Sequence, residues 1–195
     1  IDLSANIRGA SYLDPKGKEG LAGLTGALMA RGGIPSSPAD ELDEELEFLA
    51  ARLSSKFGGL SGSVSLNLLS KDADRGFEIL RAVLAAPSFQ EDKLALRKTQ
   101  ALQGLKQRND NSSSIESRER NFLAYGDDFW FNRHTTAASL ESISREDLLE
   151  FHHEWVHPRN FIVSVSGDFD RDAMLKRLDG VFAAWPHSGK KTPPV

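Results

Sequence analysis

Cysteine is absent from the 195 residues, which excludes disulfides, thiolate catalysis and cysteine-based metal sites and leaves the redox compartment unread. Long apolar runs are missing too. Nothing approaches the roughly 20 residues that a membrane-spanning helix needs. Basic charge is in deficit, with 24 Lys and Arg against 28 Asp and Glu for a net charge of −4. No basic block is denser than Lys16 to Lys18 or Lys190-Lys191, so the electrostatic footprint of a nucleic-acid binder is absent. What is present, 39% hydrophobic and 27% charged side chains, suits one domain that buries roughly 70% of its unfolded surface.

Ile1, Leu3, Ala5 and Ile7 alternate with polar residues, the period of a half-buried strand. A turn at Asp14-Pro15-Lys16-Gly17 follows. Leu21, Leu24, Thr25 and Leu28 recur at helical spacing between Lys18 and Arg31, and Gly32-Gly33 supplies a stop. The other face of this helix is built of small residues. Ser37 as N-cap before Pro38 predicts a second helix with a stripe of Leu42, Leu46, Leu49 and Leu53. Gly58, Gly59 and Gly62 read as turn residues before a strand over Ser63 to Asn67. No Lys-Ser/Thr follows these glycines, which excludes a phosphate loop. Helices are predicted through Phe77 to Leu84, over Glu91 to Asn109, over Ser114 to Tyr125, from Ser144 to about Trp155 and from Arg171 to Trp185. A further strand spans Phe161 to Ser166. Helices clustered between well-separated strands argue for an α+β class, a two-layer α/β sandwich. The chain opens at Ile1 inside the strand pattern and closes on Thr192-Pro193-Pro194-Val195, a linker-like string. A single domain over residues 1–188, the start of an interdomain linker over 189–195, and a longer two-domain parent chain are therefore expected.

Several segments together resemble the N-terminal domain of a pitrilysin/insulinase metallopeptidase half. They are Asp14-Pro15-Lys16-Gly17-Lys18-Glu19-Gly20-Leu21-Ala22, Pro87-Ser88-Phe89 before a long helix, Ala124-Tyr125-Gly126, Ser139 to Ile143, and Leu148 to Asp168 ending in Val165-Ser166-Gly167-Asp168. The resemblance spans nearly the whole chain and implies a fold of the LuxS/processing-peptidase-like type. Family peptidases carry an inverted zinc motif, H-x-x-E-H, directly after Gly-Leu-Ala. Its two histidines bind zinc from one helix face and its Glu is the general base. Here those slots fall on Gly23, Gly26 and Ala27, and the slot for a further Glu ligand falls on Gln103 and Gly104. None can ligate zinc as an anion or accept a proton. The resemblance therefore implies a non-catalytic domain with no cofactor of its own. It would pair with a homologous domain, or with a separately encoded active zinc peptidase subunit, to enclose peptides. Periplasmic residence is implied by the resemblance alone. The glycines themselves are expected to permit close packing of the helix against a neighbour.

Two other readings stand beside this one. His153-Glu154-Trp155-Val156-His157 is a literal zincin string, and a zincin-like metalloprotease using His153, Glu154 and His157 is an alternative. Against it, a residue before proline is pushed out of the helical region, and His157 precedes Pro158. A structural subunit unrelated to proteolysis is the other alternative. His134 and His187 are expected to be solvated. Asp168, Asp170 and Asp172 are expected to end a strand and cap the last helix. Within Asp127-Asp128-Phe129-Trp130-Phe131, the aromatics Phe129, Trp130 and Phe131 are either core plugs or an exposed contact for a peptide or partner.

Overall fold

The computed structural model describes residues 1–127, 129–183, 185 and 188–195; Asp128 and His187 lie outside the described residues. Strand β1 (Asp2–Arg8) places Leu3, Ala5 and Ile7 on the buried face. Its neighbours are β3 (Ser61–Asn67) and β4 (Phe161–Ser166), with Ala5 opposite Val64 on one side and Val163 on the other. Strand β2 (Arg52–Gly58) pairs with β3 to complete an antiparallel sheet ordered β2-β3-β1-β4. The opposite face carries Ser4, Asn6, Ser54, Lys56, Ser63 and Ser65, where the Ser54 and Ser65 hydroxyls bond at 2.8 Å. Strict alternation thus yields one apolar and one hydroxyl-rich face.

Helices cover the apolar face, as a two-layer α+β sandwich requires. In chain order the helices are α1 (Leu21–Met29), α2 (Ala39–Phe48), α3 (Ala73–Ala85), α4 (Glu91–Lys106), α5 (Ser112–Tyr125), α6 (Ala137–Ser142), α7 (Arg145–Trp155) and α8 (Arg171–Phe182), of which α5 takes no part in this cover. A capping box in which Ser144 and Asp147 exchange hydrogen bonds starts α7, and the Asp170 carboxylate accepts from Ala173 N at 2.8 Å to start α8. The α7 side of the core buries His152, whose Nε2–H donates to the Leu84 carbonyl at 2.9 Å. Loss of hydration on burial pushes this imidazole down to about 4, so it folds neutral.

Two sequence expectations are corrected. Strand β2 was hidden inside the stripe assigned to the second helix: α2 ends at Phe48, Ala50 turns at φ 47°, and Leu53 is the first buried residue of β2. Residues four apart share a side under both helical and strand periods, so Leu49 and Leu53 fitted either. Consequently Gly58 and Gly62 are strand residues, and only Gly59, at φ 61°, turns the β2–β3 hairpin. The Phe57 ring lies across the strand pair on Gly62, where a Cβ would collide with it. Caps shift as well: α1 starts at Leu21 rather than Lys18, and Pro38, not Ser37, is the N-cap of α2.

Candidate functional site

The cleft of interest begins with how α1 is started. The Asp14 carboxylate accepts from Gly20 N at 2.8 Å and Ala22 N at 2.7 Å, supplying acceptors to the first turn from outside the helix. Gly20 itself sits at φ 109°, which a side chain would strain. Burial raises the Asp14 carboxyl to about 6, against the two amide bonds and the Arg133 charge, which pull it down. Arg133 closes the loop by donating to the carbonyls of Asp14 and Tyr12, both at 3.0 Å.

So anchored, α1 presents its small residues to two different surroundings. Gly23 and Ala27 line a cleft of about 440 Å³ with Ser55, Lys56 and Phe57 of β2, Arg97, Gln100 and Ala101 of α4, and Thr135. A Cβ on Gly23 would meet nothing within 4 Å. Gly26 faces the sheet instead. A Cβ there would be driven into the Phe57 backbone nitrogen and to 2.8 Å from the Lys56 carbonyl carbon. The Ser55 hydroxyl joins this contact, accepting from Ala30 N at 3.0 Å and donating to Gly26 O at 2.5 Å. It takes the place of the helical bond between those residues, and α1 ends one residue before Ala30.

The sequence model described as the peptidase M16 inactive domain matches residues 142–195. An uncharacterized zinc protease of Rickettsia bellii is 22% identical over 186 residues, 94% of this chain and 44% of that protein. The M16 inactive domain from Pseudomonas fluorescens superposes over 100% of this chain and 47% of its own, with a TM-score of 0.88 at 23% identity. The periplasmic protease PqqL from Escherichia coli superposes with a TM-score of 0.82 at 13% identity, over 100% of this chain and 21% of that one. Residues 142–195 thus match the M16 inactive-domain model, and the whole chain shares its fold with a solved M16 inactive domain. The chain spans less than half the length of these relatives.

In the frame of the pitrilysin/insulinase resemblance the cleft is where the sequence placed the zinc motif, and the residues present do not fit the metal. Gly23 and Ala27 offer no donor atom, and the α4 residues facing them are Arg97, Gln100 and Ala101. Gln103 and Gly104, the slots inferred for the further ligand, stand exposed on α4 and are not among the residues lining the cleft. Arg97 would repel a dication. Among the described residues, no three His, Asp or Glu side chains are grouped to hold a metal ion.

The zincin string is likewise taken apart by the fold. Helix α7 stops at Trp155, and His157 has extended dihedrals of φ −149° and ψ 159° ahead of Pro158. Its Nε2 bonds the Lys190 carbonyl at 2.9 Å and lies 3.2 Å from Asn160 Nδ2 in the interior, while His153 is on the surface. Glu154 pairs with Lys190 Nζ at 2.8 Å, and the same ammonium stands 4.6 Å over the Trp155 ring. The string therefore anchors the tail that follows α8 rather than converging on one point.

Phe129 and Phe131 are not plugs of the core, while Trp130 between them is half-buried. Phe129 and Phe131 are 38% and 46% exposed, and rings run in contact from Tyr125 through Phe129 and Trp130 to Phe131 and Tyr12 at 5.1 to 5.9 Å. Helix α5 beside them buries no residue and leaves Phe122 and Leu123 exposed. The Tyr12 hydroxyl at one end of the row donates to the Pro193 carbonyl at 3.1 Å. Arg97 and Gln100 escaped sequence reasoning because no motif joins them to α1; only the packing of α4 against α1 does.

Proposed function

We propose that this chain is a non-catalytic M16-type domain that pairs with a homologous domain, in the same chain or in a separate active zinc peptidase, to enclose extended peptides. The observation that carries the reading is the environment of Gly26. In the H-x-x-E-H frame this is the slot of the general base, and the β2 backbone occupies the space a carboxylate would need. Gly23 and Ala27 could accept larger side chains into open cleft, but no acid fits between them. The domain keeps a cleft of about 440 Å³ and lacks the means to activate water in it.

The exposed row from Tyr125 to Phe131 is the contact offered to the partner domain. Aromatic side chains left outside a core are characteristic anchors of interfaces, and relatives more than twice as long carry further chain to cover them. Residues 1–188 form the domain, and residues 189–195 begin the connection. Periplasmic residence is proposed on the likeness to the Escherichia coli protease. A purely structural subunit is the competing reading. Metal analysis and a peptidase assay on the purified chain, with and without a zinc-bearing M16 partner, test both. The expected results are no stoichiometric zinc, no hydrolysis alone, and faster hydrolysis by the partner when the chain is added. Stoichiometric zinc with hydrolysis by the chain alone overturns the proposal. No effect on any partner favours the structural reading.

A further inference from the structure

Residues 188–195 lie along the domain instead of hanging free of it. Ser188 donates from its N and Oγ to the carbonyls of His153 and Glu154, at 3.2 and 3.0 Å. Lys190 follows with its ion pair to Glu154 and its place over the Trp155 ring, and its carbonyl meets the His157 imidazole. Thr192 Cγ2 then lies against Gly9, 3.1 Å from where a Cβ would stand. The Pro193 carbonyl accepts from the Tyr12 hydroxyl at 3.1 Å. A segment held at Ser188, Lys190, Thr192 and Pro193 follows a fixed course, unlike the random coil of a free linker. It is a strap that runs from the C-terminus of α7 to Tyr12.

That course ends on the aromatic row. The Tyr12 ring is in edge contact with Trp130, and the row continues through Phe129 to Tyr125 at the C-terminus of α5. There the apolar surface widens, because Ile115, Phe122 and Leu123 of α5 are exposed, Leu123 at 83%. The helix is nonetheless fixed in position. Asn111 caps its first turn by accepting from Ser114 N at 3.1 Å. The buried Asn132 side chain donates to the carbonyls of Asn121 and Gly126 at 3.0 and 2.7 Å. A helix of 14 residues that buries none lacks the tertiary packing from which most helical stability comes. Together with Phe129 and Phe131, its apolar side chains expose on the order of 500 Å², the size of patch that marks an interaction site.

We infer that the row and the outer face of α5 seat a domain joined to the strap in the same chain, and that the strap delivers it there. The inference rests on the domain-pairing reading and deepens it by making the partner covalently attached instead of separately encoded. The strap reaches one end of the row, so a domain following it starts beside its seat. The apolar patch is also smaller than the roughly 800 Å² per partner of a standard interface between free proteins. Attachment compensates, since a tether raises the effective concentration to the millimolar range and can strengthen a modest contact by about 10²–10⁴. Relatives more than twice as long have room for such a domain. The His153 to His157 string thereby gains a mechanical role, gripping the strap through Glu154 and His157.

Thiol labelling of the full parent chain tests the inference, because these 195 residues contain no cysteine; any cysteine elsewhere is replaced by Ser. Leu123→Cys and Ile115→Cys report on the seat, and Phe48→Cys, 90% exposed at the end of α2, is the open reference. Both reporters are expected to react with a maleimide at least about tenfold more slowly than Phe48→Cys, at rates independent of protein concentration. Tyr12→Phe with Lys190→Ala removes the Pro193 bond and the Glu154 pair, and should speed both reporters several-fold without changing Phe48→Cys. Equal rates at reporters and reference overturn the inference. So does protection that grows with protein concentration, which assigns the face to a second copy, or that appears only on adding a separate M16 subunit, which leaves the domain-pairing reading standing. Protection untouched by the double variant overturns delivery by the strap, and a parent chain with nothing after Val195 overturns the whole. Zinc content and hydrolysis are measured independently of labelling, so failure of the pairing reading shows separately.

Discussion

Gly23 and Gly26 lie three residues apart on α1, and adding one methyl group to each is expected to change stability in opposite directions. At Gly23 the new Cβ meets nothing within 4 Å. Only helix propensity operates there, and Gly23→Ala should gain up to about 1 kcal/mol. At Gly26 the same propensity gain is opposed by overpacking against β2, which costs about 1–3 kcal/mol when the neighbours can give way. They cannot give easily here, because the colliding atoms are strand backbone held in the β2–β3 ladder. Moving α1 outward also stretches the two Ser55 hydroxyl bonds to Ala30 N and Gly26 O, worth about 1 kcal/mol each. The net for Gly26→Ala is a loss of about 2–3 kcal/mol. For a chain of this size 1 kcal/mol moves Tm by roughly 2–4 °C, so thermal unfolding should rise by a few degrees for Gly23→Ala and fall by about 4–12 °C for Gly26→Ala. A Gly26→Ala protein as stable as the parent would refute the packing argument, and with it the claim that the base slot is sterically closed.

Two buried groups should oppose each other between pH 4 and 6.5. His152 folds with its value depressed to about 4 from 6.5, so the unfolded chain binds the extra proton and stability from this group rises with pH across that window, by about 3 kcal/mol. Asp14 folds with its value raised to about 6 from 3.8, so the native state binds the extra proton and its contribution falls by a similar amount as pH rises. Urea denaturation from pH 4 to 7 should therefore give His152→Gln a more downward slope of stability against pH than the parent, and Asp14→Asn a more upward one; parallel curves would remove both assignments. Asp14→Asn should also cost about 1 kcal/mol at pH 7, because an amide oxygen can accept from Gly20 N or Ala22 N while its NH2 faces the other. Replacing Phe129 and Phe131 by Ser should leave Tm within about 2 °C, since both are half exposed, yet weaken association with an M16 partner at least tenfold in analytical ultracentrifugation. Unchanged association would move the partner contact elsewhere.

The amino-acid sequence by itself determined that the H-x-x-E-H slots inferred from the resemblance hold neither a zinc ligand nor a base. Gly23, Gly26 and Ala27 carry no ligand or base wherever the helix sits, and the α+β class followed from periods that β1, β3, α3 and α7 keep without ambiguity. The placement of Pro158 was enough to doubt the zincin string, because its effect on the preceding residue is local. Strand β2 was lost because Leu49 and Leu53 satisfy two periods at once, and α6 because six residues give too few turns to show one. The difference between Gly23 and Gly26 belonged to the tertiary structure. A residue type reports what its side chain can do, but what stands opposite it is set by β2 and α4 packing against α1 from distant parts of the chain. One glycine faces open cleft and the other a strand backbone for that reason alone.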